Sequence, residues 1–134
     1  MAINEDALVK TNDIADAYNI SFNHLKKVML KLTEYGYVKG IKGRNGGFRL
    51  AQPKHAINIG AVFRITIEDV TMAECFASPT NACVISPDCR FRHILQTAMA
   101  NFIKELDNYT LADLVHEKEH ALAQHLGIEV HQID

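Results

Sequence analysis

Two helix-length apolar patterns, separated only by Asn19-Ile20-Ser21 and followed at once by a basic, glycine-rich turn, constrain this chain more than any other feature. Ile14, Ala15 and Tyr18 give a short apolar face over Asn12–Tyr18, with Thr11 as the expected N-cap. Asn19 can take the left-handed conformation that ends such a helix. Ser21 then caps a second helix, in which Leu25, Val28, Met29 and Leu32 recur at i, i+3, i+4 and i+7. Two short helices joined by a tight turn make a helix-turn-helix. Gly36 ends the second helix, and a hairpin is expected next. Tyr37, Val38 and Ile41 form one strand, Phe48, Arg49 and Leu50 the other, and Lys42-Gly43-Arg44-Asn45-Gly46-Gly47 the turn. A basic hairpin after a helix-turn-helix is a wing, suited to lie along a nucleic-acid groove.

The charge distribution supports that reading. The net charge of −2 conceals a division: Ser21–Lys54 holds eight basic residues and one acid, Glu34, whereas His55–Asp134 holds five basic and eleven acidic residues. A basic segment on an acidic chain is the footprint of a polyanion-binding face. Asn23 lies in the first turn of the second helix, the part of a recognition helix that meets base edges. Lys26, Lys27 and Lys31 flank the core stripe and are expected to contact phosphates, which position without specifying. Lys42, Arg44 and Asn45 extend the candidate DNA contacts into the wing.

The 134 residues suffice for one domain, or a domain with a long appendage. No apolar run approaches the roughly 18 residues of a membrane span. The start, MAINEDALVKTND, lacks the basic and apolar regions of a signal peptide. A reducing cytoplasm is therefore expected, and free thiols rather than disulfides. Yet all three cysteines fall within fifteen residues, Cys75, Cys83 and Cys89, as C-x7-C-x5-C. Zinc sites usually show close C-x2-C pairs and four protein ligands. Iron–sulphur clusters accept wider spacings. On spacing alone a cluster, zinc, redox chemistry and bystander thiols all stay open.

A short helix is expected around Ile59–Ile65, then the cysteine loop, then a long helix from Asp88 to about Asn108. Phe91, Ile94, Leu95, Ala98, Met99, Phe102, Ile103 and Leu106 give that helix a wide apolar stripe, which a second copy of the chain could cover. A final helix opens at Thr110, with Asp113 completing a capping-box-like start, and runs to Gly127. The expected fold class is mainly α with a small β-hairpin: a winged helix-turn-helix plus a long dimerisation helix. The expected divisions are 1–66 for DNA binding, 67–90 for the cysteine loop, 88–127 for the dimerisation and C-terminal helices, and 128–134 for a tail. No catalytic constellation of acid, base and nucleophile is visible, so an enzyme is not expected.

Three segments, GYVKGIKGRNGGFRLAQP, ISPDCR and ELDNYTLADLV, together resemble the NsrR group of nitric-oxide-sensitive repressors. That group is one branch of the winged-helix iron–sulphur regulators, which also include the cluster-assembly regulator IscR. The resemblance spans about residues 9–116. It implies a dimeric winged-helix repressor in the cytoplasm, bound to a double-stranded, palindromic operator, with a [2Fe-2S] or [4Fe-4S] cluster held by Cys75, Cys83 and Cys89. Nitric oxide at the cluster would release the protein from DNA and induce nitrosative-stress genes. The alternative within the family is a cluster-status regulator of the IscR kind. This chain departs from the pattern in two places. No residue matches the aspartate that some members supply as a fourth ligand, and Arg92 stands where IscR-type proteins have a histidine; His93, one residue on, is not assigned as a ligand. Family members also begin with a further helix beneath the helix-turn-helix. Here Ile3, Leu8 and Val9 are expected to cover part of the apolar surface of Ile14, Leu25 and Met29 instead. The resemblance therefore leads us to expect that Met1 is an internal start, with the natural protein beginning roughly twenty residues upstream.

Overall fold

The computed structural model describes residues 1–67, 73–76 and 81–129. In chain order the elements are α1 (Thr11–Tyr18), α2 (Phe22–Glu34), β1 (Val38–Ile41), β2 (Gly47–Leu50), α3 (Ile59–Ile67), α4 (Arg90–Leu106), α5 (Leu111–Val115) and α6 (Glu119–Leu126). They form two compact units, Met1–Ile57 with Thr110–Asp134, and Asn58–Tyr109. No described helix is long and apolar enough to cross a membrane.

In the first unit, the expected helix-turn-helix and wing are present. Helix α1 starts one residue earlier than expected: Thr11 is its first residue, and Lys10 stands at the cap with no side-chain hydrogen bond. The reason lies upstream. Val9 bridges β2, its N–H donating to the Phe48 carbonyl at 2.9 Å and its carbonyl accepting from Phe48 N–H at 2.8 Å. That bridge delivers an extended chain directly to the helix. Only Ala15 is buried in α1, and Tyr18 remains 60% exposed, so the expected apolar face is narrower than the pattern implied. Asn19 adopts the left-handed conformation, φ 51°, and Ile20 N–H returns to the Ala15 carbonyl at 3.0 Å. Gly36 closes α2 in the same way at φ 75°, with Tyr37 N–H reaching the Leu32 carbonyl at 2.9 Å. These two left-handed residues fix the angles at which the chain leaves each helix.

The core of this unit is Ala15, Leu25, Met29 and Val38, flanked by Met1, Ile14, Leu32, Phe48 and Leu50. The N-terminal segment divides its work differently from expectation. Met1 packs on this core, Ile3 is buried instead with Val115 and Ala123 in a second cluster, and Leu8 stays 37% exposed. Lys54 secures the arrangement: its Nζ donates to the Ala2 carbonyl at 3.3 Å and lies 3.7 Å from Glu5 and 3.9 Å from Glu119.

The hairpin pairs Val38 with Leu50, Lys39 with Arg49, Gly40 with Phe48 and Ile41 with Gly47. Gly47 therefore belongs to the strand, and the turn is one residue shorter than expected. The passing Leu8–Val9 segment explains the residue type, since a Cβ on Gly47 would sit 3.0 Å from the Val9 carbonyl oxygen and 3.2 Å from Leu8 Cβ. At Gly46 a Cβ would collide with the Ile41 carbonyl.

The single C-terminal helix expected over Thr110–Gly127 is two helices. The capping box is formed, with Thr110 N–H donating to Asp113 Oδ2 at 2.7 Å and Asp113 N–H to Thr110 Oγ1 at 3.4 Å. Helix α5 then stops at Val115, and Glu117 takes a left-handed φ of 56°. The break redirects the chain so that Ala123, Leu122 and Leu126 pack with Ile3 and Val115.

In the second unit, Asn58 caps α3 by accepting from Ala61 N–H at 2.9 Å and donates its Nδ2 to the Asp107 carbonyl at 2.7 Å. Arg64 grips both carboxylate oxygens of Asp107 at 2.6 Å each, and Gly60 leaves the room that carboxylate needs. Phe63 and Phe102 meet with ring centroids 5.1 Å apart, tilted by 60°. Helix α4 is shorter at both ends than expected: Ser86–Asp88 is a separate 3-10 turn containing Pro87, and Asp107 is the C-terminal cap.

Two carboxylates are held below the ordinary aspartate value of 3.8, Asp107 by the Arg64 hydrogen bonds and Asp113 by the Thr110 N–H and hydroxyl. The unfolded chain thus binds more protons near that value, and stability falls as pH drops below about 4. Asp107→Asn should flatten this acid limb in urea titrations run between pH 5 and pH 2, whereas an unchanged limb would show that the bridge does not couple to folding. Gly60→Ala should cost about 1–3 kcal/mol in the same assay by forcing Asp107 aside.

Candidate nucleic-acid interface and thiol loop

The core stripe of α2 buries Leu25 and Met29 and half-buries Val28 and Leu32, which fixes what the opposite face presents. Asn23, Lys26 and Lys27 are exposed there, together with Leu30 at 62%. Lys31 is half-buried. Asn23 is the second residue of the helix, inside the first turn that Ser21 Oγ caps by accepting from His24 N–H at 3.5 Å. First-turn position and exposure together leave its amide able to bond a base edge. Lys42, Arg44 and Asn45 are exposed on the turn between β1 and β2, held in shape by the Gly46 N–H bond to the Gly43 carbonyl at 3.0 Å. All seven candidate contacts thus lie in one unit, on the recognition helix and the wing. Lys54, counted in the basic segment, is engaged internally with Ala2, Glu5 and Glu119. Two cations that sequence reasoning left out of the site, Lys39 and Arg49, face each other across the wing.

A helix-turn-helix closed by a two-stranded wing is the architecture of many transcription regulators, and the family follows from the whole chain. The family model for Rrf2, an iron-dependent transcriptional regulator, matches residues 1–117. The chain belongs to the Rrf2 family. The HTH-type transcriptional regulator NsrR of Bacillus licheniformis is 45% identical over 117 residues, which is 87% of this chain and 82% of that one. Among solved structures, T. potens IscR superimposes with a TM-score of 0.62 at 22% identity, covering 87% of this chain and 74% of its own. Staphylococcus aureus CymR gives 0.64 at 22% identity, over 86% and 85%. These likenesses establish the winged-helix fold of an Rrf2 regulator, and the protein is a transcriptional regulator rather than an enzyme.

The Rrf2 chain carries its thiols in the second unit. Cys75 lies in the 3-10 turn Glu74–Phe76, and Cys89 is the residue immediately before α4. Cys83 lies between them, its N–H donating to Asn81 Oδ1 at 3.0 Å, while Asn81 Nδ2 reaches the buried Ser86 hydroxyl at 3.0 Å. All three cysteines are half-buried and free. Among the described residues no three His, Cys, Asp or Glu side chains form a metal-binding group. The remainder of the expected 67–90 loop, residues 68–72 and 77–80, lies outside the described residues, as does 130–134 of the expected tail. Arg92, in the first turn of α4, buries its Nε without a hydrogen-bond partner among the described residues.

Lys27→Ala and Arg44→Ala should each weaken duplex DNA binding and lower the log–log salt slope by about 0.9. Asn23→Ala should instead change preference among DNA sequences, costing about 1–3 kcal/mol at one base pair. Competition titrations across salt concentrations check both, and an unaltered slope in the two basic variants would reduce the segment to a charged surface.

Proposed function

We propose that this regulator is a cytoplasmic, DNA-binding repressor that senses nitric oxide through an iron–sulphur cluster and controls nitrosative-stress genes. The observation that carries the proposal is the pairing of three free, half-buried cysteines with 45% identity to a regulator named NsrR. The donor chemistry suits the group: thiolates are the ligands of iron–sulphur clusters, and none of these sulphurs is tied in a disulfide. Cys75, Cys83 and Cys89 would hold it. When bound, the cluster supplies iron that nitric oxide can attack. The chain's own contribution is positional. Cys89 joins the thiol loop to α4 without a linker, so a cluster held there would tie down the start of that helix.

Helix α4 supports a homodimer. None of its residues is buried, and Phe91, Ile94 and Phe102 are 63%, 53% and 50% exposed. Apolar exposure on that scale along one helix suits a two-fold partner, and a two-fold protein matches a palindromic operator with two half-sites. Asn23, Lys26, Lys27, Lys31, Lys42, Arg44 and Asn45 then form each half-site contact. The division of the chain follows: 1–66 binds DNA, 67–90 binds the cluster, and 88–127 forms the dimer.

Anaerobically purified protein should show a visible chromophore with matching iron and sulphide. Replacing Cys75, Cys83 or Cys89 by Ser should each remove it, because a serine hydroxyl binds iron poorly. A variant that keeps its full iron and sulphide is not missing a ligand. Nitric oxide titration should bleach the chromophore and release bound DNA together. DNA release that tracks iron starvation but ignores nitric oxide would assign the protein to cluster-status regulation of the IscR kind.

A further inference from the structure

We infer that Lys39 and Arg49 form a phosphate-binding pair on the wing, and that DNA binding relieves a repulsion built into the free hairpin. The inference rests on the DNA-binding reading above and adds a site that the recognition-helix and turn contacts do not include. It begins with register. Lys39 and Arg49 are direct partners across β1 and β2. Val38 is buried, and Phe48 and Leu50 pack on the same core, so strand alternation places Lys39 and Arg49 on the opposite face. Directly opposed side chains start about 5 Å apart at Cβ, and like charges there destabilise a hairpin.

Among the described residues no acid neutralises them. From Tyr35 to Ile67 the chain contains no Asp or Glu. Among the described residues, Lys54 pairs with Glu5 and Glu119, Arg64 with Asp107 and His116 with Glu117, and neither Lys39 nor Arg49 forms an ion pair. A phosphate supplies what is missing: negative charge between two cations, and several oxygens able to take a guanidinium and an ammonium together. The pair leads along the same hairpin to Lys42 and Arg44 at the turn, so the cations form a line rather than an isolated spot. A repeating polyanion fits a line of cations better than a single small anion does. The geometry therefore points to the DNA backbone.

The test measures duplex binding and thermal stability on the 134-residue chain. The probe is a random-sequence duplex of about 30 base pairs, so that only backbone contacts are read. Lys39→Gln should lower the salt slope by about 0.9 without lowering the melting temperature of the free protein. Lys39→Glu, which sets opposite charges across the strands, should raise that melting temperature at low salt and weaken duplex binding at least as much. The gain should vanish in an Arg49→Gln background, since the pairing partner is gone. A wild-type salt slope in Lys39→Gln, or a melting temperature lowered by Lys39→Glu, would overturn the pair. If Arg49→Gln does not fold, the variants at exposed Lys39 still decide the matter through slope and melting temperature. Wild-type protein that shows no salt-dependent duplex binding would defeat the DNA reading itself. Wild-type binding weakened by Lys27→Ala but untouched at Lys39 would defeat only the pair.

Discussion

Everything the first unit presents to a partner hangs on four buried side chains, Ala15, Leu25, Met29 and Val38. They come from α1, α2 and β1, so a single small cluster sets the relation of all three. Ala15 matters because it is small: it lets α1 lie close against α2, as two short helices around a tight turn must. The cluster is thin, with no large side chain fully buried. The edges therefore carry much of the closure, through Met1, Ile14, Leu32, Phe48 and Leu50 around it and the Val9–Phe48 bridge at the side of the sheet. Only with that frame rigid do the cations and the Asn23 amide keep fixed positions.

The two halves of the chain solve their folding problems with different forces. The first unit relies on apolar burial and on left-handed residues after α1, α2 and α6, where backbone N–H groups return to carbonyls of the last turn. The second fastens α3 to the end of α4 largely by polar means: the Asn58 amide, the two-oxygen grip of Arg64 on Asp107, and one aromatic contact. An exposed ion pair is screened by solvent, so its value there is as much geometric as energetic.

Much of this was legible in the residues, because the relevant signals are local. The period of Leu25, Val28, Met29 and Leu32 gave α2, and Asn19 and Gly36 marked its boundaries with the only conformations those positions could usefully take. The candidate cations and Asn23 could be named because their exposure is the complement of that stripe. What stayed hidden depends on distant partners. Nothing in MAINEDALV signals that Val9 will bridge Phe48 or that Ile3 will pack with Ala123. VHEKEH contains no Gly or Pro, so the break at Glu117 carries no strong local signal. The wing register was hidden by one residue. With Gly47 in the turn, Ile41 would face Phe48 and Lys39 would face Leu50; placing Gly47 in the strand is what sets Lys39 against Arg49.

Among the described residues, the side-chain hydrogen bonds and the ring contact that tie α4 to α3 and its cap Asn58 gather at one end of α4. Asn58, Gly60 and Arg64 all meet Asp107, and Phe63 meets Phe102 slightly before it, whereas the opposite end begins at Cys89 with no buried residue in between. A tilt of the helix about those contacts would move the Cys89 end most. At 1.5 Å per residue the span from Asp107 to Cys89 is roughly 26 Å long, so each degree of tilt would swing the Cys89 end by roughly half an ångström. Phe91 and Ile94 lie near that end, and Phe102 lies near those contacts. A displacement applied at that sulphur is therefore passed most fully to the apolar residues nearest to it and fades toward the far end.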